Sequence, residues 1–354
     1  MNKILSALER ISRRGFLKRS AMSVGTLSAA ALGWPGARPL RASEPQSILI
    51  LGAGMAGLAA GRELKAAGHR VQIVEGRQRI GGRVYTSTKL GAPIDMGAAW
   101  IHGSESSRHT MATLAREAGV KTVYTDFAAV RLFLKAGSEY NFDRIESEYD
   151  RIATGLYWQA TKLNRGSGDK SVGEFIRTAI ERSAASARDK QVLHWIFRSS
   201  IGTGYGVDLD WLSLRHLTSG EAFGKEDSFF PKGFGELIEH LARGQQIERG
   251  CVVRAISIEK QNGKEGVLVN TSRGEFRADR VIVTLPLGVL KADSVQFVPG
   301  LSARKREAIR RLGFGSLEKI AMRFSEQFWE DNAFLYGYVA GQTASVAVFP
   351  GAPG

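Results

Sequence analysis

The sequence has a single cysteine, Cys251, among its 354 residues. No intrachain disulfide can form, so the fold must rest on packing and hydrogen bonding. The thiol stands in the apolar stretch Cys251-Val252-Val253, which reads as a small buried residue rather than a reactive one. Histidine is scarce too, and the six present show no H-x-x-x-H or Cys/His spacing. No metal site is therefore expected. No apolar run approaches the roughly 20 residues that a bilayer crossing needs, so no stable membrane span is expected. Acids are outnumbered, 35 against 49 basic groups, for a formal net charge of +14. The basic excess is not gathered into a stripe with aromatics between, which a nucleic-acid partner would require; a solvated basic surface is the expectation.

Part of that charge belongs to the N-terminus. Residues 1–42 carry eight basic groups and one acid, Glu9. Ser12-Arg13-Arg14-Gly15-Phe16-Leu17-Lys18 leads into a mildly apolar run from Ala21 to Leu32, then Gly/Pro-rich sequence to Ala42. A basic region, a short apolar region and small residues form the plan of a secretory signal. The Arg-Arg pair makes it similar to the twin-arginine type, which implies the twin-arginine export machinery as a partner and a periplasmic or secreted product in a bacterium.

From Ser47 the chain reads as strand, tight turn, helix, strand. Ile48-Leu49-Ile50-Leu51 is an apolar run suited to a strand buried on both faces. Gly52-Ala53-Gly54-Met55-Ala56-Gly57 comes at once, helical sequence runs from Met55 to about Ala67, and a second strand from Arg70 ends at Glu75, 18 residues beyond Gly57. Gly52 allows the turn, Gly54 lets a pyrophosphate approach the backbone, and Gly57 lets the helix pack on the strand. The helix N-terminus around Ala56 offers N–H groups and a positive dipole end to phosphate. Glu75 is placed to accept hydrogen bonds from ribose hydroxyls. The fold class expected is α/β with a Rossmann-type dinucleotide-binding domain; the resemblance carried by the residues that follow implies that this is an FAD-binding domain joined to a second, α+β substrate domain.

The choice of flavin over nicotinamide rests on the residues just after the second strand. Arg79-Ile80-Gly81-Gly82-Arg83 resembles the flavoprotein group that includes amine oxidases, polyamine oxidases and phytoene desaturases. The resemblance implies that Gly82 and Arg83 lie along the pyrophosphate of FAD; a planar, permanently charged guanidinium suits that contact. Asp95-Met96-Gly97-Ala98-Ala99-Trp100-Ile101-His102-Gly103 is similar to the D-x-G-A-x-W-I-H-G stretch of polyamine oxidases and related histone demethylases. It implies that Gly97 and Ala98 let the backbone approach the flavin, that Trp100 is a flat wall, and that His102 meets substrate. Val253 matches the family valine whose backbone contacts adenine. Leu285-Pro286-Leu287-Gly288-Val289-Leu290, after an apolar strand, is a further match. Gly313 to Phe324, ahead of Phe328-Trp329, resembles the family stretch G-x-x-x-K-x-x-x-x-F, so Lys319 is the candidate catalytic residue, holding water against the flavin ring.

The resemblance implies a flavin amine oxidase. A primary or secondary amine, with polyamines among the candidates, gives up hydride from the carbon next to nitrogen, the imine is hydrolysed, and molecular oxygen is reduced to hydrogen peroxide. An L-amino-acid oxidase is the alternative within the same chemistry, and it needs an arginine for the carboxylate, which the sequence does not assign. An inactive FAD-binding remnant is the alternative outside it. Family members continue for about a further hundred residues with a second glycine-rich FAD segment; the sequence to Gly354 has none, which reads as a truncated or fragmentary form.

The organisation expected is a signal over 1–42, FAD-binding segments over 43–107 and 245–295, a mostly helical substrate region over 108–244, and substrate-domain strands over 296–354. Ser171-Val172-Gly173-Glu174 reads as a capping box opening a helix. Glu221, Glu226 and Asp227 are acids that would attract a cationic amine, but the better reading is of exposed, solvated charges.

Overall fold

The computed structural model describes residues 44–339 and 345–348, apart from 105, 107–108, 128, 136, 164–167, 219–225, 262–263 and 331–332. The signal-like N-terminus and Glu221 lie outside the described residues.

Strand β1 (Ser47–Leu51), helix α1 (Met55–Ala66) and strand β2 (Arg70–Glu75) form the first unit. β1 and β2 pair in parallel, Ser47 opposite Arg70 and Leu51 opposite Val74. Parallel neighbours need a crossover, and α1 supplies it. Arg280–Val283 pairs in parallel on the far side of β1, and Gln246–Arg249 outside β2, giving a four-stranded sheet. The alternation of a strand divides β1 between two cores. Ile48 and Ile50 pack with Leu58, Ile73, Leu237 and Ile238 on one face, whereas Leu49 and Leu51 pack with Val74, Cys251, Val253 and Val269 on the other. Cys251 is fully buried, as its apolar setting predicts. The second face is covered by the meander Val253–Gln261, Lys264–Thr271 and Gly274–Ala278.

A third core sits among helices Glu146–Lys162, Val172–Glu181 and Ala187–Phe197. Tyr149 and Phe197 stack at its centre with ring centroids 5.1 Å apart. Ser171 caps its helix as the sequence predicts, its hydroxyl accepting from the Glu174 N–H at 3.0 Å. Helices make up most of the regular structure between residues 108 and 244. The region also contains strands Val123–Thr125, Val130–Leu134 and Asp227–Phe229. Val130–Leu134 buries every second residue, and it pairs in parallel with Leu335–Val339, more than two hundred residues later. Gly337 makes that packing possible, since a Cβ there would lie 2.3 Å from the Trp195 ring.

Among the described residues, three strands lie over 296–354: Gln296–Val298 joins the meander beside Val253–Gln261, whereas Leu335–Val339 pairs with Ser345–Val348 and with Val130–Leu134. The stretch around Lys319 is not one of them. Residues 313–329 form no helix or strand, and Ile320 is 89% exposed. A strand exists only through pairing, and this segment is held instead by single bonds: Ser316 N–H to the Gly206 carbonyl (2.8 Å), Lys319 to two carbonyls, and Arg323 to the Leu90 carbonyl (3.0 Å).

Asp189 is a buried carboxylate at the start of helix Ala187–Phe197. Burial works against its charge, but the Tyr140 and Ser186 hydroxyls and Arg144 outweigh this and hold its pKa below the ordinary carboxylate value. A depressed folded-state pKa stabilises the fold above the unfolded value, and that stability is lost as pH falls through the folded value. Asp189→Ala should lower unfolding free energy by about 2 kcal/mol at neutral pH, and the difference from the native protein should shrink below pH ~4. Urea titrations at the two pH values measure both.

Candidate functional site

The glycine turn between β1 and α1 is built by close backbone approach. Gly52 has φ +109 and donates its N–H to the Val74 carbonyl at 2.8 Å. A Cβ on Gly57 would stand 1.9 Å from the Gly52 carbonyl oxygen, so only glycine lets α1 start against the turn. Gly54 is the N-cap; no side chain caps the helix, and its first turn holds no acid. Ala56 is exposed beside it. The first N–H groups and the positive dipole end of a 12-residue helix therefore present at an open position.

The second glycine turn closes on the first. The Gly81 N–H donates to the Ala53 carbonyl at 2.8 Å, and Gly54 and Gly81 form a parallel bridge. Gly81 and Gly82 have φ of +91 and +60. A Cβ on Gly54 would meet only Gly82 Cα, at 3.9 Å, so the space above this turn is open. Arg79 is consumed by structure, donating to the carbonyls of Ile80 and Gly82 and lying 4.4 Å over the Tyr85 ring. Arg83 is exposed, with its guanidinium 5.9 Å from the Phe314 ring centroid.

Glu75 ends β2 beside the turn. One carboxylate oxygen accepts from Ala53 N–H (2.9 Å) and the other from Arg77 N–H (2.8 Å). Each oxygen has a second lone pair, so the oriented carboxylate keeps acceptor capacity for hydroxyls. Cys251 N–H bonds the Glu75 carbonyl at 2.8 Å, which draws the start of strand Val253–Gln261, with Val253 nearly buried, to the end of β2. Gly52, Gly54, Ala56, Gly57, Glu75, Gly82, Arg83 and Val253 thus come from three parts of the chain to one end of the sheet.

The Asp95–Gly103 stretch runs on from there. A Cβ on Gly97 would lie 1.8 Å from the Arg83 carbonyl oxygen, which also accepts from Ala98 N–H at 3.2 Å. Asp95 accepts from Phe234 N–H on both oxygens (3.0 and 2.9 Å) and from the Thr86 hydroxyl, while Thr86 accepts from Gly235 N–H at 2.9 Å. The two side chains together satisfy the first N–H groups of helix Gly235–Ala242. Burial raises the Asp95 pKa against the pull of these bonds and of Lys319.

Lys319 arrives over this backbone. Its ammonium donates to the Asp95 carbonyl (2.9 Å) and the Gly97 carbonyl (2.6 Å), and sits 5.4 Å from the Trp100 ring centroid. Burial lowers its pKa, with Asp95 opposing. An ammonium has three donors, so two hold it in place and one remains. Trp100 donates to the Thr125 hydroxyl at 3.1 Å and packs with Phe127 and Phe334, at 5.5 and 6.3 Å between ring centroids. His102, two residues along the same strand, has a 71% exposed side chain whose Nδ1 lies 3.1 Å from Asp227.

Asp227 requires a correction. Its sequence setting predicts an exposed charge, as at Glu226. Glu226 is exposed, but Asp227 is only 8% exposed and faces His102 across paired strands. The one signal in the sequence is position: Asp227 opens the apolar run Phe229-Phe230, and alternation puts it on the same side as Phe229. Thr125, the partner of Trp100, gives no signal.

Compared with known proteins, residues 55–349 match the family model for flavin containing amine oxidoreductases. The chain is 32% identical over 305 residues to polyamine oxidase 4 of Oryza sativa subsp. japonica, covering 81% of this chain and 61% of that protein. It is 31% identical over 317 residues to probable polyamine oxidase 4 of Arabidopsis thaliana, covering 86% and 63%. It is also 32% identical over 339 residues to lysine-specific histone demethylase 1 homolog 2 of Oryza sativa subsp. japonica, covering 91% and 42%. The chain thus spans less than two thirds of the length of each of these relatives.

Gly57→Ala should force α1 off the turn, at a cost of roughly 1–3 kcal/mol, and remove dinucleotide binding. Thermal unfolding and the amount of bound dinucleotide after gel filtration check the two effects. Native-like values for both would show that the close approach is not required.

Proposed function

The chain belongs to the family of flavin-containing amine oxidoreductases, whose cofactor is FAD, and from that premise we propose that it oxidises a primary or secondary amine, with oxygen as acceptor and hydrogen peroxide as product. When bound, FAD supplies the hydride acceptor. The residues present suit the group. Two glycine turns leave an open cradle over an uncapped helix N-terminus, which fits a pyrophosphate, with Arg83 beside it for charge. Glu75 suits a ribose, and the backbone near Val253 suits the adenine.

The observation that carries the proposal is Lys319. A side chain with a depressed pKa, partly buried against Trp100 and fastened to the Asp95 and Gly97 carbonyls, is poorly explained as a solvated surface charge. Its remaining donor can orient a water, and a lowered pKa lets it exchange a proton with that water more readily. Trp100 presents an aromatic face that excludes water and attracts cationic nitrogen. The negative charge of Asp227 beside His102 disfavours a substrate carboxylate, which supports an amine over an L-amino acid. The relatives named as polyamine oxidases make a polyamine the leading substrate class. Residues 1–42, with Arg13-Arg14 ahead of a short apolar run, support export by the twin-arginine route. Among the described residues no helix is long and apolar enough to cross a membrane.

Purified protein supplied with FAD should be yellow and should bleach anaerobically with putrescine or spermidine, but not with leucine or phenylalanine. Lys319→Met should slow turnover by about a hundredfold without loss of bound FAD, followed by stopped-flow absorbance. A protein that retains no FAD, or bleaches only with the amino acids, contradicts the proposal.

A further inference from the structure

A small sheet carries the substrate face. Strand Trp100–His102 pairs with Asp227–Phe229, which pairs in turn with Val123–Thr125. The register sets His102, Asp227 and Thr125 in one row, and Trp100, Phe229 and Val123 in the row two residues along. Both rows project from the same face. Within the first row, Asp227 Oδ1 lies 3.1 Å from His102 Nδ1 and also accepts from Gly103 N–H at 3.3 Å. The neighbouring residues clamp the turn after His102. The Glu226 carbonyl accepts from Gly103 and Ser104 N–H, both at 2.7 Å, and the Ser104 and Ser228 hydroxyls bond each other at 2.8 Å.

We infer that Asp227 is a positioning residue for substrate recognition: from the neighbouring strand, in the same row, it fixes the ring and the tautomer of His102. The inference rests on the proposed amine oxidation only in assigning His102 to substrate. An ionised carboxylate accepts hydrogen bonds and donates none, so the ring nitrogen turned toward it carries the proton. Neutral His102 is then the Nδ1–H tautomer, and the lone pair belongs to Nε2 of a side chain that is 71% exposed. That arrangement accepts a hydrogen bond from an N–H group. It offers nothing to a carboxylate, and the buried charge of Asp227 adds attraction for a cationic nitrogen. The buried carboxylate needs a partner in the same way, since burial without one is costly. A nitrogen bound at His102 would lie along the strand from Trp100, over which Lys319 sits. The pair therefore selects substrates with a second nitrogen, away from the one that is oxidised.

The test reads the ring first and turnover second. In full-length protein labelled with nitrogen-15 histidine, long-range imidazole correlations at neutral pH, assigned with His102→Gln, should show protonated Nδ1 on His102. Asp227→Asn should weaken that preference and Asp227→Leu should shift it toward Nε2–H, with the remaining histidine signals unmoved. In FAD-loaded enzyme, Asp227→Asn should raise KM for spermidine by about tenfold, as loss of one charge-assisted contact would, with kcat within about twofold. The KM for a simple monoamine should change little. An Nε2–H ring in the native protein, populations unmoved by both variants, or an unchanged spermidine KM in active enzyme overturns the inference. The ring measurement needs no turnover, so it stands or falls separately from amine oxidation.

Discussion

The hydrogen bond from Gly81 N–H to the Ala53 carbonyl joins the two glycine turns, and the rest of the site is a relay of close approaches that starts there. The first turn sits against α1 because Gly57 has no side chain; the second meets the first at Gly54 and Gly81. From the second turn, the Arg83 carbonyl accepts from Ala98 and leaves no room for a Cβ on Gly97. The Gly97 carbonyl then receives Lys319. Three segments are thus ordered backbone against backbone, and the Lys319 side chain is fastened to the third. Position is transmitted by distances near 3 Å or less rather than by side-chain packing, which has more freedom to adjust. A methyl group at Gly57, Gly81 or Gly97 would open the relay at a different step.

The charges placed on this frame act against stability. Asp95 has a raised pKa and Lys319 a lowered one, each because burial disfavours its charged form. A carboxyl with a raised folded-state pKa contributes nothing at acid pH and costs stability once pH has risen through that value. An ammonium with a lowered folded-state pKa costs stability below that value, and the cost disappears only above the unfolded value. At neutral pH both costs are in force. Asp189 shows the opposite case, a buried carboxylate whose hydroxyl and guanidinium partners stabilise its charge. The contrast separates a carboxylate whose charge the fold stabilises from two half-buried charges kept where charge has a use.

Much of the frame is legible in the sequence because its signals are local. β1, α1 and β2 fall within a residue or so of the limits expected, since apolar runs, glycines and a terminal acid sit within 30 residues of one another. Ser171 caps its helix because a capping box is complete in four residues. The features that escape depend on partners far away in sequence. Asp227 can be recognised as buried only by knowing that its strand lies between Trp100–His102 and Val123–Thr125. Val130–Leu134 shows its alternation of buried residues, yet its neighbour is Leu335–Val339. The segment around Lys319 has the apolar spacing of a strand and no strand beside it among the described residues, so it remains irregular.

That irregular segment links the two halves of the site. Gly315 stands so close to Gly206 that a Cβ would lie 2.2 Å from the Gly206 carbonyl oxygen, and Ser316 N–H bonds that same oxygen at 2.8 Å. Gly206 itself has φ +64 and ends the helical turn that comes after Ala187–Phe197. Three residues after Ser316, Lys319 reaches the nucleotide side of the molecule. The lysine is therefore suspended between the helical layer, through Gly206, and the glycine relay, through Gly97. A strand would have fixed it to one sheet; point attachments on either side make its position a joint function of both layers. A change in the helical region that moved Gly206 would act on the ammonium without touching any residue that surrounds it, and a change at the first glycine turn would do the same from the other side.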